Sequence, residues 1–452
     1  MKITIVGCGK VGTSVLDRLV AEGHDLLVID NDPKVVEELT NIYDVMGICG
    51  NGVDWETLNE AGAQNSDLFV ATTGSDEFNM LSCFIAERMG AGHTIAKISN
   101  PEYNDKNLPF MQKQLEISMP VNPELLAARE IYNVLKLPSA AKIESFSGKS
   151  FEIVELVLKS DSPLDGMSLI ELRKKYKASF LICAVRRGED IFIPDGNFVL
   201  RSGDKIALTA TQSEIHKLLK MLDLMQKQAK SVMILGASRT SFYLAKMLLA
   251  SGISVKLIEK KKEKCLEFAD LLPGISVIHG DGADQELLLE EGLPSIDAFV
   301  TLTGKDEENI LLSFFASSIN VPKVISKVNR AEFAAMADKL GLECIISPKK
   351  SVSDVIVRYA RALKNSEGSG VETLYKIMDG KAEALEFSVG PDFEFIGVSF
   401  KELSIKPGIL VAGIIRGRKT VIPSGDDSIL AGDKVIIIAA NAGLNDLADI
   451  IK

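Results

Sequence analysis

The chain has 452 residues, 46% of them hydrophobic and 25% charged, with a formal net charge of −11. These proportions describe a soluble globular protein with room for several hydrophobic cores, and the acidity argues against a nucleic-acid partner, whose phosphates require basic patches. Six cysteines (Cys8, Cys49, Cys83, Cys183, Cys265, Cys344) form no CxxC pair and no metal-ligand spacing, which reads as buried thiols in a reducing compartment, not a disulfide framework or metal centre.

From the N-terminus, Met1-Lys-Ile-Thr-Ile-Val-Gly7 runs straight into a strand with no signal-peptide apolar region. No apolar stretch approaches the ~20 residues that span a bilayer. A cytosolic protein is expected. Strand and helix then alternate: strand 3–6, helix 10–22, strand 25–30, helix 34–41, strand 46–49, helix 54–61, strand 68–72, helix 76–89 and strand 94–97. A helix near 101–113 and a strand near 117–121 complete the set, and a helix over 124–137 leaves it after Pro123. Strands separated by helical patterns of this length imply right-handed crossovers and a doubly wound parallel sheet. From Ile143 the period shortens to strands at 151–158, 180–186, 190–193 and 205–210, punctuated by Gly188, Gly196 and Gly203, which reads as a small α+β module.

After a charged connector at 222–230 the whole pattern starts again. Gly7 recurs as Gly236, Asp30 as Glu259, Gly74-Ser-Asp76-Glu77-Phe-Asn79 as Gly304-Lys-Asp306-Glu307-Glu-Asn309, and Gly203-Asp204-Lys205 as Gly432-Asp433-Lys434, at offsets of 229 or 230 residues. Solenoid repeats run only ~20–50 residues, so this is a duplicated domain set. The expected class is α/β: two doubly wound, Rossmann-like domains (1–137 and 230–365), each followed by a small α+β domain (138–225 and 366–452), in tandem. A flexible joint is expected at 364–370.

Gly7-Cys8-Gly9-Lys10-Val11-Gly12 fits G-x-G-x-x-G between a strand and a helix. The first glycine permits the tight turn, the second lets backbone approach a pyrophosphate, and the third lets helix and strand pack closely. The helix N-terminus offers free N–H groups and partial positive charge to phosphates. Asp30 ends the second strand 18 residues after Gly12, where a carboxylate can accept both ribose hydroxyls. Asn31 follows it in place of a basic residue, which disfavours a 2′-phosphate. An adenine-nucleotide site is expected here; the plain alternative is a glycine-rich packing turn. In the second copy, Gly236-Ala237-Ser238-Arg-Thr-Ser241 keeps only the first glycine, although Glu259 still ends the matching strand. A side chain at 238 should push a pyrophosphate off the backbone, and one at 241 should loosen helix–strand packing. That site either binds a nucleotide, more weakly or in another pose, or keeps the fold without the ligand.

The glycine loop, Gly50-Asn51-Gly52 with Asp54, and Ala71-Thr72-Thr73-Gly74-Ser75-Asp76-Glu77-Phe-Asn79 resemble the regulator-of-potassium-conductance family. With Gly280-Asp281-Gly282, Thr301–Asn309 and a β-rich module after each half, the chain is similar over its full length to the tandem-duplicated regulatory subunits of Trk-type potassium uptake systems. The resemblance implies NAD(H), ATP or ADP at Gly7–Gly12 with Asp30 on the ribose, and further contacts from 50–52 and 72–74. It also implies a basic residue after the fifth strand that reaches phosphates. Lys97 stands there, with Lys327 as its counterpart, so a point-charge contact replaces the bidentate one of arginine. An ordinary solvated strand-end lysine is the plain reading. The partner it implies is a membrane-embedded potassium-translocating subunit, above a homo-oligomeric (tetramer) ring peripheral to the inner face of the cell membrane.

Read from residues alone, the first half binds without reacting. His24, His93, His216 and His279 look like turn or helix-end residues, and hydride transfer needs an acid or base beside the nicotinamide. Tyr132-Asn-Val-Leu-Lys136 has the Y-x-x-x-K spacing of short-chain dehydrogenases but not their glycine pattern. Asp76 and Glu77 at a helix start suit its dipole; a cation shared with phosphates is the other reading. No enzyme activity is expected. The rival classes are an NAD-dependent oxidoreductase with a degenerate second cofactor domain, and a sensor acting on another transporter.

Overall fold

The computed structural model describes residues 1–103, 107–146, 151–159, 161–176, 179–222, 228–365, 371–440, 444 and 446–452. The first copy runs β1 (Lys2–Val6), α1 (Lys10–Val20), β2 (Asp25–Asp30), α2 (Pro33–Ile42), β3 (Met46–Cys49), α3 (Trp55–Glu60), β4 (Leu68–Ala71), α4 (Asp76–Met89), β5 (Thr94–Lys97), α5 (Asn107–Gln114), β6 (Met119–Val121) and α6 (Pro123–Lys136). Its small module holds β7 (Lys142–Phe146), β8 (Phe151–Val157), α7 (Leu169–Lys175), β9 (Leu181–Arg187), β10 (Asp190–Phe192), β11 (Lys205–Ala210) and α8 (Gln212–Met221). The second copy runs β12 (Ser231–Leu235), α9 (Arg239–Ala250), β13 (Ser254–Glu259), α10 (Lys262–Leu271), β14 (Ser276–His279), α11 (Gln285–Glu290), β15 (Ala298–Thr301), α12 (Asp306–Ser318), β16 (Lys323–Lys327), α13 (Ala331–Lys339), β17 (Ile345–Ile346) and α14 (Pro348–Asn365). Its small module has β18 (Val371–Ile377), β19 (Ala382–Ser388), β20 (Ile409–Arg416), β21 (Lys419–Val421) and β22 (Lys434–Ala439).

This is the expected fold class: two parallel sheets, each followed by an antiparallel one. Ile3, Ile5, Phe69, Val70 and Ile95 are fully buried, as strands covered by helices on both faces must be. The strand order β3-β2-β1-β4-β5-β6 recurs as β14-β13-β12-β15-β16-β17. One segment differs from its expected extent. The helix expected near 101–113 divides into a 3₁₀ turn at Pro101–Tyr103 and α5, with 104–106 outside the described residues. Glu116 then takes a φ of 51° and the Ile117 N–H returns to the Gln112 carbonyl, so the chain is still closing a helix where a strand was expected. The expected connector and joint fall largely on 223–227 and 366–370, outside the described residues. Among the described residues, no helix is long and apolar enough to cross a membrane.

The chain divides into two compact units: Met1–Tyr132 with Lys230–Ala360, and Asn133–Ala229 with Arg361–Lys452. In the first unit the two parallel-sheet domains exchange their last helices. On α14, Asp354 pairs with Arg18 of α1 at 2.5 Å and Ser353 bonds Ser14 at 3.0 Å. On α6, Tyr132 bonds Ser251 after α9, and Glu130 accepts from Ser351. Between them Tyr243 of α9 is buried, donating to the Ser99 carbonyl and accepting from the Asn122 amide, both at 3.0 Å. The two copies therefore face each other across this seam.

In the second unit the sheets β10-β9-β11-β8-β7 and β18-β19-β22-β20-β21 pack face to face. Small residues line the contact (Ala184, Ala207, Ala384, Ala412), and the Phe151 ring fills the space over Gly413, where an added Cβ would sit 2.5 Å from it. The recurring Gly-Asp-Lys has a structural cause. Gly203 turns with φ +84°, and Asp204, 0% exposed, accepts both guanidinium nitrogens of Arg187 at 2.7 Å and the Arg201 N–H at 2.8 Å. Asp433 holds Arg416 and the Leu430 N–H the same way. Asp204→Asn removes the buried acceptor of a part-exposed Arg187 and should cost about 2 kcal/mol in chemical denaturation. Asp426→Asn, which removes an exposed pair with Lys401, should stay within about 0.5 kcal/mol.

Candidate functional site

At the carboxyl ends of β1 and β4, where the strand order reverses, the first copy opens a crevice of about 580 Å³. Ligands of open α/β sheets bind at this switch point. Gly7, Gly9, Asp30, Asn31, Asn51, Gly52, Thr72, Thr73 and Gly74 line it, as expected from the sequence, together with Val6, Ile29, Gly50, Ser75 and Phe78. Cys8, Lys10, Val11, Gly12 and Lys97 do not.

The glycines divide by what demands them. Gly7 turns with φ +82°, and a Cβ there would lie 2.6 Å from Thr73. At Gly12 a Cβ would lie 2.1 Å from the Gly7 carbonyl oxygen, so this residue is a packing requirement of α1 on the loop. Gly50 and Gly52 are pressed by Thr57 and Val6. At Gly9 and Gly74, however, a Cβ would meet nothing within 4 Å, and neither has a positive φ. No protein contact requires glycine at either position, and both line the crevice, so the space they leave open suits a ligand brought against the backbone.

The loop is held from two sides. Thr72 donates to the Gly7 carbonyl at 2.8 Å, and Asp30 accepts the Cys8 N–H at 2.6 Å and the Asp32 N–H at 3.0 Å. Each carboxylate oxygen has further acceptor capacity toward the crevice. Gly9 caps α1 without a side-chain bond, leaving the first helical N–H groups to an anion. Val6, Ile29 and Phe78 supply an apolar wall for a flat ring. Burial, and then the Asp30 charge, push the Cys8 thiol up to about 12, so it is inert.

Lys97 is half-buried, and the Asn79 amide donates to its carbonyl at 2.9 Å. Burial pulls its ammonium below the usual range, against the opposing charges of Glu124 and Asp76. Sequence reasoning missed the pins of the recurring stretch. Asn79 accepts the Thr73 N–H at 2.8 Å and hydroxyl at 2.7 Å, while Asp76 accepts the N–H groups of Ser99 and Asn100 at 2.9 and 2.6 Å. Their recurrence as Asn309 and Asp306, with the same bonds to Thr303, Asn329 and Arg330, was the available signal. Tyr132 belongs to the seam between copies, His216 lies inside α8, and Cys49 is the exposed one of six free cysteines.

In the second copy Gly236 keeps its positive φ (+93°), and Glu259 accepts the Ala237 N–H at 2.7 Å. Ser241 does not loosen the packing as expected. It is fully buried and donates to the Gly236 carbonyl at 2.5 Å, the bond Thr72 makes in the first copy, where the matching residue here is Leu302. Ser238 caps α9 through the Ser241 N–H. Gly282 packs on Leu235, Asp281 pairs with Lys260 at 2.5 Å, and half-buried Lys327 donates to the Leu302 carbonyl at 3.1 Å.

Family models match the chain twice over: the TrkA-N domain at residues 3–113 and 232–348, and the TrkA-C domain at 153–223 and 384–452. The Trk system potassium uptake protein TrkA homolog 1 of Methanosarcina mazei is 28% identical over 460 aligned residues, and the TrkA homolog of Archaeoglobus fulgidus 29% over 452, each covering all of both chains. Among solved structures, the GsuK channel bound to NAD matches 98% of this chain and 77% of its own at 16% identity and a TM-score of 0.63. GsuK bound to ADP matches 81% and 69% at 11% identity and 0.52. At these identities the likeness is one of fold.

The two kinds of glycine separate experimentally. Gly9→Ala should leave the unliganded protein within about 0.5 kcal/mol of its stability while weakening NAD or ADP binding at least about tenfold, by calorimetric titration. Gly12→Ala should destabilise the fold itself by about 2 kcal/mol.

Proposed function

The chain belongs to the TrkA family, with the TrkA-N and TrkA-C domains each present twice, and from that premise we propose that it is the nucleotide-binding regulatory subunit of a Trk-type potassium uptake system. The ligand is an adenine nucleotide, NAD(H), ATP or ADP, held in the first crevice at Gly7–Gly12 with Asp30 on the ribose. The observation that carries this is the pair Gly9 and Gly74, open toward the crevice for no reason internal to the protein. The relatives' names give the potassium system, and GsuK is a channel solved with NAD and with ADP.

The reading is of a binding subunit, in line with the relatives' names. Among the described residues lining the crevice, Asp30 is the acid and it accepts two backbone N–H groups. No observation favours the oxidoreductase reading.

A ligand shifts a protein only through its differential affinity for two shapes. The route here starts at the N-terminus of α1, where phosphates would sit, and passes along that helix to Ser14 and Arg18. These hold Ser353 and Asp354 of α14, the helix in which the second copy ends. A change in how α1 is seated therefore pulls on α14. The membrane-embedded potassium-translocating subunit reads that change from the cytoplasmic side, where a homo-oligomeric ring of this chain docks peripherally.

The test is potassium flux in vesicles reconstituted with the membrane subunit. Asp30→Asn should weaken NAD binding at least about tenfold and abolish the nucleotide effect on flux. Arg18→Ala should leave NAD binding within about twofold of wild type yet lose more than about half of that effect. Unchanged regulation in both variants would refute the proposal.

A further inference from the structure

The matching site of the second copy keeps the frame of the first crevice and brings lysines to it. Gly236 retains the left-handed turn, Gly304 is open like Gly74, and Asn309 holds Thr303 as Asn79 holds Thr73. After the ribose acid, however, the first copy reads Asn31-Asp32-Pro33-Lys34-Val35, and the second reads Lys260-Lys261-Lys262-Glu263-Lys264. Lys305 replaces Ser75 on the opposite wall. In a chain of net charge −11 five lysines gather at one specific place in the fold, where the first copy has one, Lys34.

The place is chemically informative. The turn after the second strand and the start of the next helix face the 2′ and 3′ positions of a ribose whose hydroxyls reach the strand-end acid, and a basic group there accommodates a phosphate on that ribose. In the first copy this corner rejects phosphate: Asp32 caps α2 by accepting the Lys34 N–H at 2.9 Å. In the second, α10 begins at Lys261 with no side-chain cap, so its first N–H groups stay available. Lys264 is stationed over the loop, its ammonium on the Ala237 carbonyl at 2.9 Å. Lys261 and Lys262 are exposed, and Lys260 holds Asp281 only in an exposed pair, which is cheap to exchange. Of the acids at this corner, Glu259 has both oxygens engaged by the Ala237 and Lys261 N–H groups at 2.7 and 2.8 Å, Asp281 and Glu308 sit in exposed or part-exposed pairs with Lys260 and Lys305, and Glu263 stands within the lysine run. The loop meanwhile offers a pyrophosphate less, since Ser238 already occupies the Ser241 N–H. The anchor has moved from the pyrophosphate to the ribose.

We propose that this site of the second copy takes an adenosine nucleotide carrying a phosphomonoester on its ribose, a ligand that the first crevice turns away. The chain then reads two different nucleotides, one per copy. This stands whichever nucleotide fills the first crevice, because the two sites are addressed by different variants.

The experiment is calorimetric titration of the full chain with adenosine 2′,5′-bisphosphate, its 3′,5′ isomer, AMP and inorganic tripolyphosphate, with NAD binding measured separately on the same protein. One of the bisphosphates should bind at least about tenfold tighter than AMP and tighter than tripolyphosphate. Lys260→Ala combined with Lys262→Ala should erase that advantage with an unchanged melting temperature and unchanged NAD binding, as should Lys264→Met alone in part. Asp30→Asn should leave it intact. Equal affinity for AMP and both bisphosphates would overturn the proposal. So would tripolyphosphate binding as tightly, which marks a bare basic patch, or loss of the bisphosphate in Asp30→Asn, which places it in the first crevice.

Discussion

A carbonyl oxygen with no room around it organises the first crevice. The Gly7 carbonyl lies so close to residue 12 that only glycine fits there, and the Thr72 hydroxyl at 2.8 Å ties that carbonyl to the end of β4. This contact seats α1 on the sheet, fixes the direction of its free N–H groups, and leaves the crevice between β1 and β4 open. The Asp30 carboxylate adds the second fixing point through the Cys8 N–H. With the loop held by Thr72 and Asp30, no side chain is needed at Gly9 or Gly74, and the crevice stays open beside them.

The duplication shows the same constraint solved twice. In the second copy, serine at 241 and leucine at 302 are one exchange: the hydroxyl that satisfies the first-glycine carbonyl moves from the strand to the helix. Either arrangement satisfies a buried carbonyl, which is costly to leave unpaired. The serine version also recruits Ser238 as a helix cap, and so consumes donors that the first copy keeps for phosphate. One copy keeps an uncapped helix start, while the other has become a capped helix start with lysines gathered beside it.

Much of this was legible in residue order because its causes are local. Continuous apolar runs such as Leu68–Ala71 mark strands buried on both faces, and Gly7–Gly12 with Asp30 places the crevice through backbone geometry. What stayed hidden depends on contacts between distant residues. Nothing near Tyr132 in the sequence indicates that it meets Ser251, and Arg18 gives no sign of Asp354, 336 residues away. Ser241 was expected to loosen its helix because its hydrogen-bond acceptor, a backbone carbonyl, has no signature in a sequence. Asp76 and Asn79 were read as helix-start acids and a repeat marker, whereas they hold loops across the sheet edge. Lys97, expected at the phosphates, does not line the crevice; Asn79 fixes its backbone carbonyl.

The account turns on whether a nucleotide at the start of α1 is felt at α14. Hydrogen exchange of the full chain, with and without saturating NAD, measures this most directly. The account predicts slowed exchange at residues 9–13 together with a change at 348–360, and loss of the second change alone in Arg18→Ala. Protection confined to the glycine loop, with α14 indifferent to NAD, would contradict it.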